Sequence, residues 1–266
     1  MVRYGVKQTL KVRRFTLNSY RKYIELIIDK YERILRFDEY FSLEKLPDSF
    51  VILRHDVDRM PKRAFRMAQV EHSLGVPATY YFRIKNHTFN PEIIIKISEL
   101  GHEIGYHYEC LSDADGDMER ALDDFKYNLD RLRKIVPIKT ISMHGRPFKK
   151  QDNRDMWKNA ANNKFLKDEL KILGEVYLDI DYKDIAYIND TGRNWLSNKS
   201  NMRDKIISNI NADFNNDYEV FSALKDKKFK KIIFQIHPER WNDELFSWSL
   251  QYSFDSLVNI AKSILK

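Results

Sequence analysis

The residues best suited to chemistry lie in the stretch Val51-Ile52-Leu53-Arg54-His55-Asp56-Val57-Asp58. An apolar run ends abruptly in charge, as a buried strand does where its end opens into a polar site. Asp56 and Asp58 are two residues apart, so on an extended chain they point to the same side. Two crowded carboxylates repel each other, and a divalent metal or a shared proton relieves the repulsion. Other apolar runs also end in His or Arg. They place Arg83, His107, His144, Arg146 and His237 with the two acids on one rim. His55 points to the opposite side and is read as structural.

The elements that carry this rim follow from the punctuation of the chain. A stripe of Tyr20, Tyr23, Ile24, Ile27, Ile28, Tyr31, Ile34 and Leu35 at helical spacing predicts a helix from about Asn18 to Phe37. Phe50 to Arg54 is the first expected strand. Pro61 opens a helix that Gly75 closes. A strand at 79–84, a helix from Asn90-Pro91 to Gly101 and a strand at 102–108 follow. A helix at 117–135 and a strand at 139–143 complete the clear alternation. Beyond it, a helix is expected at 153–161 and short strands at 175–180 and 185–188. Helices are expected at 202–210 and 218–224, a final strand at 231–236 and a helix from about 243 to 265. Asp190 to Trp195 reads as a polar loop carrying an aromatic. Strands alternating with helices argue for parallel βαβ units. The expected fold is α/β, a distorted barrel of six to seven parallel strands with chemistry at the C-terminal strand ends. Residues 1–47 are expected to be a basic arm and helix packed on a barrel formed by residues 48–266.

Composition narrows the partners. The 266 residues carry a net charge of +7, from 46 basic and 39 acidic side chains, so both signs are mixed rather than gathered into a nucleic-acid footprint. A lone cysteine, Cys110, excludes a disulfide framework and a cysteine-based zinc site. No apolar run approaches a membrane span, and the basic N-terminus has no apolar signal core. The expectation is a cytoplasmic protein with no integral membrane segment and no nucleic-acid partner.

Taken together, the motifs resemble the polysaccharide deacetylase family (carbohydrate esterase family four, the chitooligosaccharide-deacetylase homology domain) over about residues 48–240. The motifs are His55-Asp56-Val57-Asp58, Gly101-His102-Glu103-Ile104-Gly105-Tyr106-His107, Gly145-Arg146-Pro147-Phe148 and Ile233-Phe234-Gln235-Ile236-His237-Pro238. The resemblance implies metal-dependent removal of an N- or O-acyl group from a sugar or sugar conjugate. It makes Asp56 the general base, Asp58 and His107 metal ligands, His237 the general acid, and zinc the expected metal. The family's second histidine, one helical turn after the first, is replaced by Leu111. His144 is the substitute ligand, with Glu109 behind it. Arg146 is assigned to orienting the base or binding a substrate anion. Arg83, Tyr106, Glu109 and Trp195 are assigned to substrate contact, although core packing suits the two aromatics equally.

Two other functions fit parts of this pattern. A non-catalytic carbohydrate- or protein-binding member of the fold would account for the absent second histidine. A glycosyltransferase would use Asp56-Val57-Asp58 to hold a metal on a sugar nucleotide, but leaves the three histidines unexplained.

Overall fold

The structure is a computed structural model that describes residues 14–146, 148–196 and 206–264. The elements run α1 (Leu17–Lys30), β1 (Ile34–Leu35), α2 (Phe37–Ser42), β2 (Phe50–Val57), α3 (Pro61–Ser73), β3 (Thr79–Phe82), α4 (Pro91–Glu99) and β4 (Glu103–Tyr108). They continue with α5 (Cys110–Asp113), α6 (Met118–Arg133), β5 (Thr140–Met143), α7 (Asp155–Lys158), α8 (Ala160–Asp168) and β6 (Gly174–Glu175). The chain closes with β7 (Ala186–Asn189), α9 (Asp217–Lys225), β8 (Lys231–Ile236) and α10 (Leu245–Ile264).

Every named strand pairs in parallel, in the order β6-β5-β4-β3-β2-β8-β7, with β1 against β2 below β3. The α/β sheet curls into a half-barrel. Arg54 on β2 reaches Ser142 on β5 at 2.6 Å, although two strands separate them. The two edge strands, β6 and β7, are bridged by side chains. The hydroxyl of Tyr177, just beyond β6, lies 3.4 Å from that of Tyr187 on β7.

The inner face of the curl is polar. Arg54, Tyr81, Glu103, Thr140, Tyr177 and Gln235 are all buried there. The outer face holds the apolar core against the helices. On α1, Tyr20, Tyr23, Ile24 and Ile27 are buried, and the Tyr23 ring packs on Trp195, Phe234 and Trp241.

Asn90 caps α4 and Asp117 caps α6, at the starts the sequence places there, while the cap of α1 is Thr16, two residues ahead of Asn18. Gly101 turns the chain out of α4 at φ +91°. Gly105 on β4 is a packing requirement, because a Cβ there would stand 2.2 Å from the Tyr81 ring.

Several expected elements differ. The first helix ends at Lys30 rather than near Phe37. Tyr31 is extended, its hydroxyl donates to Phe229 O at 2.8 Å, and Ile34 and Leu35 pair with Val51 and Ile52. Leu35 is buried by that pairing rather than by a helical face, and Ile34 stays half-buried. The strand expected at 175–180 shrinks to Gly174–Glu175, because the Glu175 carboxylate itself accepts from Tyr177 N and Leu178 N. The helix expected at 153–161 is two short ones broken at Asn159. Of the helix expected at 202–210, residues 202–205 lie outside the described residues and 206–210 are not helical.

Candidate active site

Each rim residue sits at or just past a C-terminal strand end: Asp56 on β2 and Asp58 just after it, Arg83 after β3, His107 on β4, His144 after β5 and His237 after β8. Parallel strands put all these ends on one side of the sheet, so the alternation of strand and helix alone gathers them.

Asp58, His107 and His144 converge. One ligand atom from each lies within 4.8 Å of the others. His107 Nδ1 donates to Ser142 O at 2.9 Å, and His144 Nδ1 donates to Glu109 Oε2 at 2.8 Å. These bonds anchor both rings through Nδ1 and leave each Nε2 turned to Asp58, able to hold a cation once it carries no proton. Both Nε2 atoms lie 3.5 Å from Asp58 Oδ1, which is buried without a hydrogen-bond partner. Two ligand atoms on one tetrahedral zinc, with bonds of about 2.0–2.1 Å, stand about 3.3 Å apart. An orphaned carboxylate oxygen 3.5 Å from two imidazole Nε2 atoms therefore fits a divalent ion. Burial opposes charge on His144, but Asp58 and Glu109 outweigh it and push the imidazole up to about 9. Burial likewise works against ionised Asp58, and the two histidines hold it well below the usual carboxylate range.

Asp56 is buried beside them, with Oδ2 3.7 Å from His107 Nε2. Arg54 grips it with two 2.9 Å hydrogen bonds, and the Gln235 amide donates to the same carboxylate. Burial would raise the Asp56 carboxyl, yet Arg54, His107 and His237 hold it below its ordinary value. It is ionised at neutral pH.

His237 is braced by Asp190, the first residue after β7. Its Nδ1 lies 2.6 Å from Asp190 Oδ1 and 2.7 Å from Arg240 Nη1. Arg240 Nη1 already donates to two oxygens of Asp190, at 2.8 and 2.9 Å, so the proton that suits all three groups is Nδ1–H given to the carboxylate. Trp241 Nε1 donates to the other oxygen at 2.8 Å. Burial and Arg240 oppose charge on His237, but Asp190 lifts it above the ordinary imidazole value.

Glu109 is a hub rather than an open group. Arg83 reaches its Oε1 at 2.7 Å, Arg146 and His144 each reach its Oε2 at 2.8 Å, and Lys85 stands 3.4 Å away. Burial would raise this carboxyl, and the surrounding positive groups lower it strongly. Glu109, with Tyr106 and His107, also lines a cavity of about 330 Å³ between β4, α5 and α6.

Three expectations change. Trp195 is no exposed loop aromatic; it is buried, stacked on Phe15 and Phe234, and it donates to Asp217 at 2.5 Å. Its ring finds apolar partners under α1, so it does not meet a substrate. Tyr106 points outward between the sheet and α6, packs on Phe125 and keeps its hydroxyl 3.2 Å from Cys110 Sγ. Only a small part of it borders the cavity. Arg146 binds Glu109 and Asp113, and it is Arg54 that holds Asp56. Arg83 is committed to Glu109 and to the carbonyl of Asp58.

Sequence reasoning passed over Arg54, Asp190, Gln235 and Arg240. Arg54 had a signal, since it stands two before Asp56 on the same strand face. Gln235 has the same relation to His237. Asp190 is an acid after an apolar run, the pattern that found the others. Glu239 was also missed. It is buried two residues after His237, and burial together with Asp58 pushes its carboxyl up to about 6.

No family model and no curated protein matches the chain. Among solved structures, it is similar to a family 4 carbohydrate esterase from Bacillus anthracis (11% identity, TM-score 0.41, 88% of this chain and 83% of the other). It is similar to a CE4 family pseudoenzyme from the same organism (12%, 0.42, 81% of this chain and 61% of the other). It is also similar to a peptidoglycan deacetylase from Bacillus subtilis (12%, 0.39, 82% of this chain and 96% of the other). At these identities and scores the likeness carries no weight in assigning a role to any side chain. The first two of these neighbours nevertheless bear the family name that the sequence motifs resemble, and the third is named for a deacetylase activity.

Proposed function

We propose that the chain is a metal-dependent hydrolase that removes an N- or O-acyl group from a sugar or sugar conjugate. One observation carries this reading: the unpartnered Asp58 Oδ1 lies 3.5 Å from the Nε2 atoms of both His107 and His144, with Asp56 alongside. Asp58, His107 and His144 would hold the ion. When bound, zinc or a similar ion polarises an acyl oxygen and acidifies water.

The chain's own residues supply the remainder. Asp56, ionised and held by Arg54 and Gln235, accepts a proton from the attacking water. His237, with Nδ1–H anchored on Asp190, delivers a proton from Nε2 to the leaving nitrogen or oxygen. Its raised pKa keeps that proton available near neutral pH. Glu109 fixes the ring of His144, and Arg83 and Arg146 neutralise Glu109.

The test joins metal analysis to activity. Purified protein is expected to hold about one divalent ion, and Asp58→Ala, His107→Ala and His144→Ala each to lose it. Asp56→Asn is expected to keep the ion while acetate release from N- or O-acetylated sugars falls at least about a hundredfold. A wild type that binds no ion sinks the reading. A second reading, a sugar-binding member without turnover, is favoured by one feature: both Asp56 oxygens already accept hydrogen bonds. Metal and sugar binding with no acid released would select it.

A further inference from the structure

Buried charges continue behind His237 past Arg240. Asp190 braces the ring, and Arg240 Nη1 donates to Asp190 Oδ1 at 2.8 Å and to its carbonyl at 2.9 Å. The next group is Asp255 on α10, whose Oδ1 lies 4.0 Å from Arg240 Nε. Its Oδ2 lies 3.4 Å from Arg193 Nη1. Gln251, one turn earlier on the same helix, donates to Asp255 Oδ1 at 2.9 Å. His237, Asp190, Arg240, Asp255 and Arg193 thus form a row in which basic and acidic side chains alternate. All five are buried.

α10 also grips the loop that follows Asp190. Asn259 donates to Gly192 O at 2.7 Å, and the Arg193 guanidinium lies 4.7 Å from the Trp248 ring and 5.7 Å from the Tyr252 ring. Gly192 and Arg193 have φ of +72° and +58°. An arginine keeps that conformation only where its surroundings over-determine it. Helices usually bury apolar side chains against their neighbours. Here Gln251 and Asp255 are the buried residues of α10 among those whose side chains are described. The inward side of this helix is therefore built to set charges.

The balance along the row is close. Burial opposes charge on Arg240, and Asp190, Glu239 and Asp255 outweigh it. Burial pushes Arg193 below its ordinary value, with Asp255 foremost among the groups that resist this. Arg240 Nε and Arg193 Nη2 have no hydrogen-bond partner among the described residues, so each arginine depends on Asp255 as a charge. Without that charge, two buried cations would draw on Asp190, the group that holds the His237 ring. The charged groups facing His237 are Asp190, Arg240, Glu239, Asp58 and Asp56.

We propose that Asp255 is a positioning residue for His237: from α10 it shares Arg240, and so leaves Asp190 free to hold the imidazole ring and its proton. The role concerns one proton, and it stands whether or not that proton reaches a leaving group.

Ring-nitrogen NMR of the full chain tests it, with the His237 signals assigned by their loss in His237→Gln. Asp255→Asn keeps the shape and removes the charge. It is expected to lower the His237 titration midpoint by about half a pH unit or more. Asp255→Glu is expected to restore most of that loss. Arg193→Gln removes the competing cation at the far end of the row and is expected to move the midpoint the other way, upward. Loosened packing does not depend on the sign of the lost charge, so opposite shifts in the Asn and Gln variants support the proposal and any other pattern overturns it. Should Asp255→Asn fail to fold, Arg193→Gln decides alone: a rise supports the proposal, and no change or a fall overturns it. A wild type without turnover would sink the hydrolase reading and leave this titration unaffected.

Discussion

His144 shows how one side chain sets the terms for ion binding. Its imidazole is pushed up to about 9 between Asp58 and Glu109, so the ion-free protein keeps that ring protonated at neutral pH. An ion must displace this proton. Below about pH 9, affinity should therefore climb with pH by about tenfold per unit, with one proton released per ion bound. Titration calorimetry in buffers of different ionisation enthalpy counts that proton directly. Arg54 gives a second expectation. Asp56 has its pKa lowered by folding, so its favourable contribution is present above the ordinary carboxylate pKa and fades as pH falls through the lowered one. Arg54→Met strands the buried carboxylate and should cost about 3–5 kcal/mol at neutral pH, less in acid where Asp56 takes a proton. Urea unfolding at the two pH values checks this. At this scale the sequence told much: Asp56, Asp58, His107, His144 and His237 were each legible as a strand run breaking into a polar residue. Trp195 was not, because nothing local distinguishes an indole facing a ligand from one covered by a distant helix.

Elements were legible where local chemistry decides them. Pro61, Asn90, Gly101 and Asp117 mark helix ends by capping or by backbone geometry, and those ends fall where they were expected. The break after Lys30 was hidden, since Tyr31, Ile34 and Leu35 continue the helical spacing, while Ile34 and Leu35 pair as a strand with residues about twenty positions on. Short β6 was hidden for a related reason: Glu175, a strand-breaking acid by composition, is buried and binds the backbone of its own turn. Strand β4 carries a testable constraint. Gly105→Ala drives a methyl into the Tyr81 ring and should destabilise by about 1–3 kcal/mol, measured by chemical unfolding. Glu103 on the same strand is buried, and burial first, then Asp38, raises its carboxyl from 4.5 to about 7. Through that window the folded chain retains a proton the unfolded chain has lost, so this residue lowers stability as pH rises. Glu103→Gln should remove that slope, and melting temperatures compared across the window will show the two proteins diverging.

For the molecule as a whole, ion binding and folding are linked. An ion that binds only the folded chain at about a hundredfold above its Kd adds about 2.7 kcal/mol. Chelation should therefore lower the melting temperature of the wild type and leave His107→Ala unmoved. Barrel class was readable from the alternation of strands and helices; the polar lining of its interior was not, because Arg54, Glu103, Tyr177 and Gln235 look like surface residues until the curl brings them face to face.

The sheet's two edges meet through the hydroxyls of Tyr177 and Tyr187 rather than through a backbone ladder. A half-barrel joined this way has a slit. Strands inside the sheet part only when several amide bonds break together, whereas the slit opens when a few phenol contacts let go. Amide protons on Ala186–Asn189 should thus trade with deuterium well before those on Phe50–Val57, which has neighbours on both sides. The slit lies beside Gln235, which binds both Tyr187 and Asp56, so each opening loosens the grip on the Asp56 carboxylate.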